Sequence, residues 1–82
     1  MTNQDIQKKI KLLEEIIEDL EREREDKKRW IEREKTEKKE GYEDKIAISL
    51  WTKRIEKIDL EIEELEKVIT DYKNYLLNEI NA

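Results

Sequence analysis

Residues 48–79, ISLWTKRIEKIDLEIEELEKVITDYKNYLLNE, carry apolar side chains at alternating intervals of three and four. Ile48, Ile55, Ile62, Ile69 and Leu76 form one row with a step of seven, and Trp51, Ile58, Leu65, Tyr72 and Glu79 form a second. Nine of these ten positions are apolar. On an α-helix this spacing gathers the side chains into one stripe, which must be covered by another helix. The first row takes the a positions of a heptad and the second the d positions.

The same pattern runs through the first half of the chain. Ile10, Ile17, Arg24 and Ile31 make its a row, and Ile6, Leu13, Leu20, Lys27 and Glu34 its d row. Between the two arms stands Gly41, the only glycine, within Glu40-Gly41-Tyr42-Glu43-Asp44. Gly41 suits a left-handed C′ position that strains other residues. Lys38 and Lys39 would then fall in the last turn, where cations complement the helix C-terminus. Asp44 can cap the second helix and Thr2 or Asn3 the first, with Thr2-x-x-Asp5 one step from a capping box because Asp replaces Glu.

The pattern therefore predicts one all-α domain over 1–82: helix 3–39, turn 40–44 and helix 45–81. Arms of about 36 residues are about 54 Å long. A short turn makes them antiparallel, so that facing residues have numbers summing to about 83. Ile6 then lies near Leu76, Leu13 near Ile69, Leu20 near Ile62, and Trp30 with Ile31 near Trp51. The fold class is an antiparallel helical hairpin of two long, coiled-coil-like helices.

Half of the 82 residues are charged and 35% are hydrophobic, a balance that disordered chains share. The strict periodicity of Ile and Leu, with no proline and one serine, argues for helix instead. There is no cysteine or histidine, which removes disulfides and thiolate or imidazole metal ligands. The opening residues are polar and no apolar run approaches the roughly 18 residues of a membrane span, so a cytoplasmic protein is expected. The net charge of −5 is spread along the chain, and residues 21–45 carry ten basic and ten acidic side chains. That is a mixed solvated surface, neither a basic footprint nor an acidic strip.

A lone hairpin of this size buries too little to offset roughly 1–2 kcal/mol of backbone entropy per residue. Oligomerisation is the remaining staple. The stripe also widens toward the open end, where Leu12 and Ile16 flank it on the first arm and Leu60, Val68, Tyr75, Leu77 and Ile80 on the second. A widened stripe suits a four-helix bundle. The expectation is a homodimer of hairpins with Leu12, Ile16, Val68 and Tyr75 in its interface.

Catalysis lacks its parts. Without histidine or cysteine, and with Ser49 the lone serine, the common nucleophile–base pairs cannot be assembled. One glycine cannot make a phosphate-binding loop. Glu61, Glu63, Glu64 and Glu66 cluster in sequence but occupy heptad positions that largely face water, so neither a metal site nor an acid–base pair is expected. No enzyme activity, cofactor or small-molecule substrate is predicted.

The middle of the first arm breaks the pattern, because Arg24 and Lys27 occupy seam positions opposite Ile58 and Ile55. Their stems can lie over the isoleucines with the charges in water, or they can fix pairing register. A third reading makes Arg22, Arg24, Lys27, Trp30 and Ile55 the contact region for another protein, since Trp and Arg are enriched at interaction hot spots. The expected role is a non-catalytic protein–protein interaction module: an adaptor, scaffold or inhibitor, of the kind phages and mobile elements encode. The alternative is a hairpin dimer that binds structured RNA or DNA through Arg22, Lys28, Arg29 and Arg33, with Trp30 for stacking. Zero net charge over that stretch removes the long-range attraction which dominates phosphate affinity.

Overall fold

The computed structural model describes residues 2–39 and 41–81, apart from the side chains of Ile80 and Asn81. It is the all-α hairpin that the heptads predict. Helix α1 spans Asn3–Thr36 and helix α2 spans Lys45–Asn81. They lie antiparallel in a rod of 63 × 15 × 15 Å.

Both N-termini are capped by the side chains the sequence offers. The Asp5 N–H donates to Thr2 Oγ1 and the Thr2 N–H donates to Asp5 Oδ2, both at 3.2 Å. This is a reciprocal capping box with Asp in the place of Glu, and it satisfies donors that helix geometry leaves orphaned. At α2, Asp44 Oδ1 accepts the Ala47 N–H at 3.0 Å, and the Asp44 carbonyl accepts the Ile48 N–H at 3.0 Å.

The first helix stops at Thr36, three residues short of the predicted end at 39, so the connection covers 37–44 rather than 40–44. Long helices are held mainly by the packing of an apolar face, and beyond Ile31 the first arm has none to pack. Thr36 Oγ1 donates back to the Glu32 carbonyl at 2.7 Å, and Glu37 is the C-cap, with its N–H on the Arg33 carbonyl. The cations of the last turn are therefore Arg33 and Lys35. Lys38 and Lys39 lie beyond the helix end instead of in its last turn. Gly41 does adopt a positive φ, +89°, but four residues past the C-cap and not at C′. It sits inside a tight turn in which the Tyr42 N–H donates to the Lys39 carbonyl at 2.9 Å. Glu34 reaches across the link to accept the Asp44 N–H at 2.7 Å.

The buried core is six isoleucines: Ile6, Ile10 and Ile17 of α1, and Ile58, Ile62 and Ile69 of α2. Leu13, Leu20, Leu65, Tyr72 and Leu76 pack against them half-buried. All come from the predicted a and d rows, and a fully buried isoleucine contributes about 1.5–3 kcal/mol. The core fills the seam from the open end to Ile58. Nearer the turn, Ile31, Ile48, Trp51 and Ile55 are only half-buried. There the seam is closed by Trp30 and Trp51, whose rings meet edge to face with centroids 5.7 Å apart. That pair lies close to the facing predicted from the heptads.

Candidate protein-interaction face

A two-helix hairpin has two broad faces, one lined by the c and g positions of both helices and the other by b and e. Sequence spacing assigns each side chain, and observed contacts join the helices. Arg54 and Glu23, both at g, meet across the first face. Arg24 reaches Asp59, at e, on the other side.

The described side chains of the b/e face are polar with one exception. Glu14, Glu18, Glu21 and Glu25 follow one another along α1, as do Glu56, Asp59, Glu63 and Glu66 along α2. Leu77 is its one large apolar member among the described side chains, at 56% exposed.

The c/g face is different. Leu12 is 57% exposed, Ile16 39%, Val68 41% and Tyr75 46%. These are the four residues predicted for a dimer interface, and helical spacing puts them all on this face. Ile16, Leu20, Leu65 and Val68 line one shallow groove bridging both helices, with Glu61 and Glu64 on its rim. At the turn end the same face carries Trp30 and Leu50, also exposed. Six of the ten large apolar side chains exposed among the described residues lie on this face, and apolar patches on an otherwise charged surface mark contact surfaces.

Leu60 and Leu77 do not belong to this surface. They sit at f and b positions and point away from the groove, which corrects their inclusion in the widened stripe. The side chain of Ile80, also placed in that stripe, lies outside the described residues. Leu50 is a further member of the face that the a and d rows do not include. The signal for it was available, since Ile46 and Leu50 are four residues apart at the start of α2, on its outer surface. Both are largely exposed.

The cationic stretch is already occupied within the chain. Arg22 pairs with Asp19, and Arg24 Nη1 donates to Asp59 Oδ1 at 2.7 Å. Lys27 lies 3.4 Å from Glu23 and 4.7 Å from the centre of the Trp30 ring. Arg24 Nε is buried without a hydrogen-bond partner. Arg54 clamps Glu23 through two bonds of 2.6 and 3.0 Å and touches Glu61 at 3.5 Å. The Arg54 guanidinium, helped by Lys27 and opposed by desolvation, holds the Glu23 carboxyl down from 4.5 to about 2. Ile55, next to Arg54 in the chain, is half-buried. Of the residues proposed as a nucleic-acid contact, Arg22, Lys28 and Arg29 pair with Asp19, Glu25 and Asp26.

Glu61, Glu63, Glu64 and Glu66 do not converge. Glu61 faces Arg54 and Glu63 pairs with Lys67 at 3.6 Å. Among the described residues no group of three or more Asp or Glu side chains is arranged to hold a metal ion. No described helix is long and apolar enough to cross a membrane. No protein-family model, curated protein or solved structure matches the chain.

Proposed function

We propose that the chain is a non-catalytic protein–protein interaction module whose first partner is a second copy of itself, docked through the c/g face. The observation that carries this reading is the asymmetry between faces: Leu12, Ile16, Val68 and Tyr75 are exposed on one side, while the described side chains of the other are polar but for Leu77. Covering the apolar side converts two marginal hairpins into a four-helix bundle with a continuous core. The shape of the rod, which offers long exposed surfaces, supports an adaptor, scaffold or inhibitor role. A second protein would meet the turn end, where Tyr42 and Ile46 lie off the docking face and are exposed.

Light scattering coupled to size exclusion tests the assembly. The expected mass is twice the 10.1 kDa of one chain at micromolar concentration. Ile16→Glu with Val68→Glu should return it to one chain and lower its thermal stability, because the lone hairpin is marginal. A well-folded single chain at every concentration would overturn the reading.

A further inference from the structure

We infer that the second copy docks in parallel, with both turns at the same end of the bundle. This rests on the dimer reading above and adds its topology. Two hairpins meeting through the same face have two symmetric choices. With the twofold axis along the rod, α1 lies over α2 of the other copy at equal heights. With the axis across the rod, each helix lies over its own counterpart, running the opposite way.

The heights are fixed by cross-helix contacts: Arg24 to Asp59, Glu23 to Arg54, and Trp30 to Trp51. By that alignment Lys9 on the α1 rim stands within one helical turn of Asp71 on the α2 rim. Neither takes part in an ion pair among the described residues. The parallel arrangement brings Lys9 of each copy to Asp71 of the other, twice by symmetry. It also lays Leu12 against Val68 near the open end and Trp30 against Leu50 near the turn. Asp19 comes beside Glu61 and within one turn of Glu64, like-charged approaches tempered by the arginines that Asp19 and Glu61 already hold.

The antiparallel choices fare worse. Centring the axis on Val68, where the apolar side chains are, sets Asp71 against Glu64 of the other copy, twice, with no cation engaged by either. It also overlaps only about half of each rod. Full overlap of a face 63 Å long and 15 Å wide covers about 900 Å² per copy, whereas half of that falls below a standard interface of about 800 Å² per partner. Full antiparallel overlap stacks Asp19 on its own counterpart and crowds Glu61 and Glu64 against theirs. Charge and area therefore both favour the parallel bundle.

The chain has no cysteine, so a single spin label at Lys38→Cys reports the distance between the two turns. In a dimer of parallel hairpins spaced about 10 Å between helix axes, the labels should lie within about 35 Å of each other. A dimeric mass with labels 60 Å or more apart, about the rod length, would overturn the topology and leave the dimer standing. A single-chain mass would overturn both. A second readout is charge reversal. Asp71→Lys should weaken dimerisation about tenfold, since two pairs are lost, and Lys9→Asp added to it should restore most of the affinity. No restoration would overturn the pairing on which the topology rests.

Discussion

Arg54 grips Glu23 across the hairpin with both Nε and Nη2, at 2.6 and 3.0 Å, and these residues stand 31 positions apart in the chain. A bidentate guanidinium–carboxylate pair fixes geometry as well as charge. It locks the g edges of the two helices at the point where the isoleucine core gives way to a charged seam. Lys27 and Glu61 complete the network.

Acid should loosen this clamp. The Glu23 carboxyl is held at about 2 in the folded chain against an ordinary 4.5. A depressed carboxyl contributes stability that is fully present above its unfolded value and is lost as pH falls through its folded value. The melting temperature should thus decline between about pH 4.5 and pH 2. Glu23→Gln should remove that part of the decline and cost about 1 kcal/mol near neutral pH, a figure kept small by the partial exposure of the pair. Thermal melts across pH check it, and parallel curves for both proteins would show that other carboxylates dominate.

Arg24 offers a gain. Its stem lies in the seam near the fully buried Ile58, its Nε is buried without a partner, and its one ion pair is with the half-exposed Asp59. Arg24→Leu should stabilise the chain by about 1 kcal/mol, which is part of the 1.5–3 kcal/mol for a fully buried leucine. Lys27→Leu should be nearly neutral, because it forfeits the contacts with Glu23 and the Trp30 ring, the latter worth about 0.5–1 kcal/mol. Urea titration of the two single variants separates them. A loss of stability in Arg24→Leu would mean that the Asp59 pair outweighs burial.

Ile58 and Leu60 make an internal control two residues apart. Ile58 is fully buried and Leu60 is 61% exposed. Ile58→Ala should cost about 3 kcal/mol in transfer and cavity energy, whereas Leu60→Ala should stay within about 0.5 kcal/mol. Similar costs in denaturant unfolding would show Leu60 to be covered in solution, and hence a different docking face.

Gly41 tests the turn. Its φ is +89° and a Cβ added there would meet nothing within 4 Å. Gly41→Ala should therefore cost only the backbone strain of that conformation, about 1–2 kcal/mol, and Gly41→Asn clearly less. Equal stability of all three in a thermal melt would show that the turn relaxes freely.

Divalent cations should do nothing. Millimolar calcium, magnesium or manganese is expected to leave the melting temperature unchanged, since Glu61 faces Arg54, Glu63 pairs with Lys67, and no three acidic side chains among the described residues are arranged to hold a metal. A saturable rise of several degrees, abolished by Glu63→Gln, would reveal a site, because binding to the folded state stabilises by mass action.

The hairpin was legible because isoleucine and leucine recur at a and d with so little interruption that the two arms, their pairing and all six core positions could be read directly. The caps at Thr2 and Asp44 were legible for the same reason, since short polar side chains stand where each apolar pattern begins. The end of α1 was not. Propensity and i,i+4 charge pairs favour helix through Lys39, and only the absence of anything to bury past Ile31 stops it at Thr36. The destination of the cations was also illegible, because a seam position does not tell whether Arg24 will find Asp59 or a partner. The i, i+4 spacing of Ile46 and Leu50 is legible, but a c position is assigned to a face only once the second helix defines which side is which.

Antiparallel closure leaves Thr2 and Asn81 at the same pole of the rod, with residues 37–39 and 41–44 at the far pole. Anything fused at either end of the described helices, a purification tag included, hangs beside Leu12 and Tyr75. A bulky fusion would then act as a steric wedge against assembly, and the turn, some 60 Å away, is the place where a dye, a tether or an affinity handle can be attached without disturbing that pole.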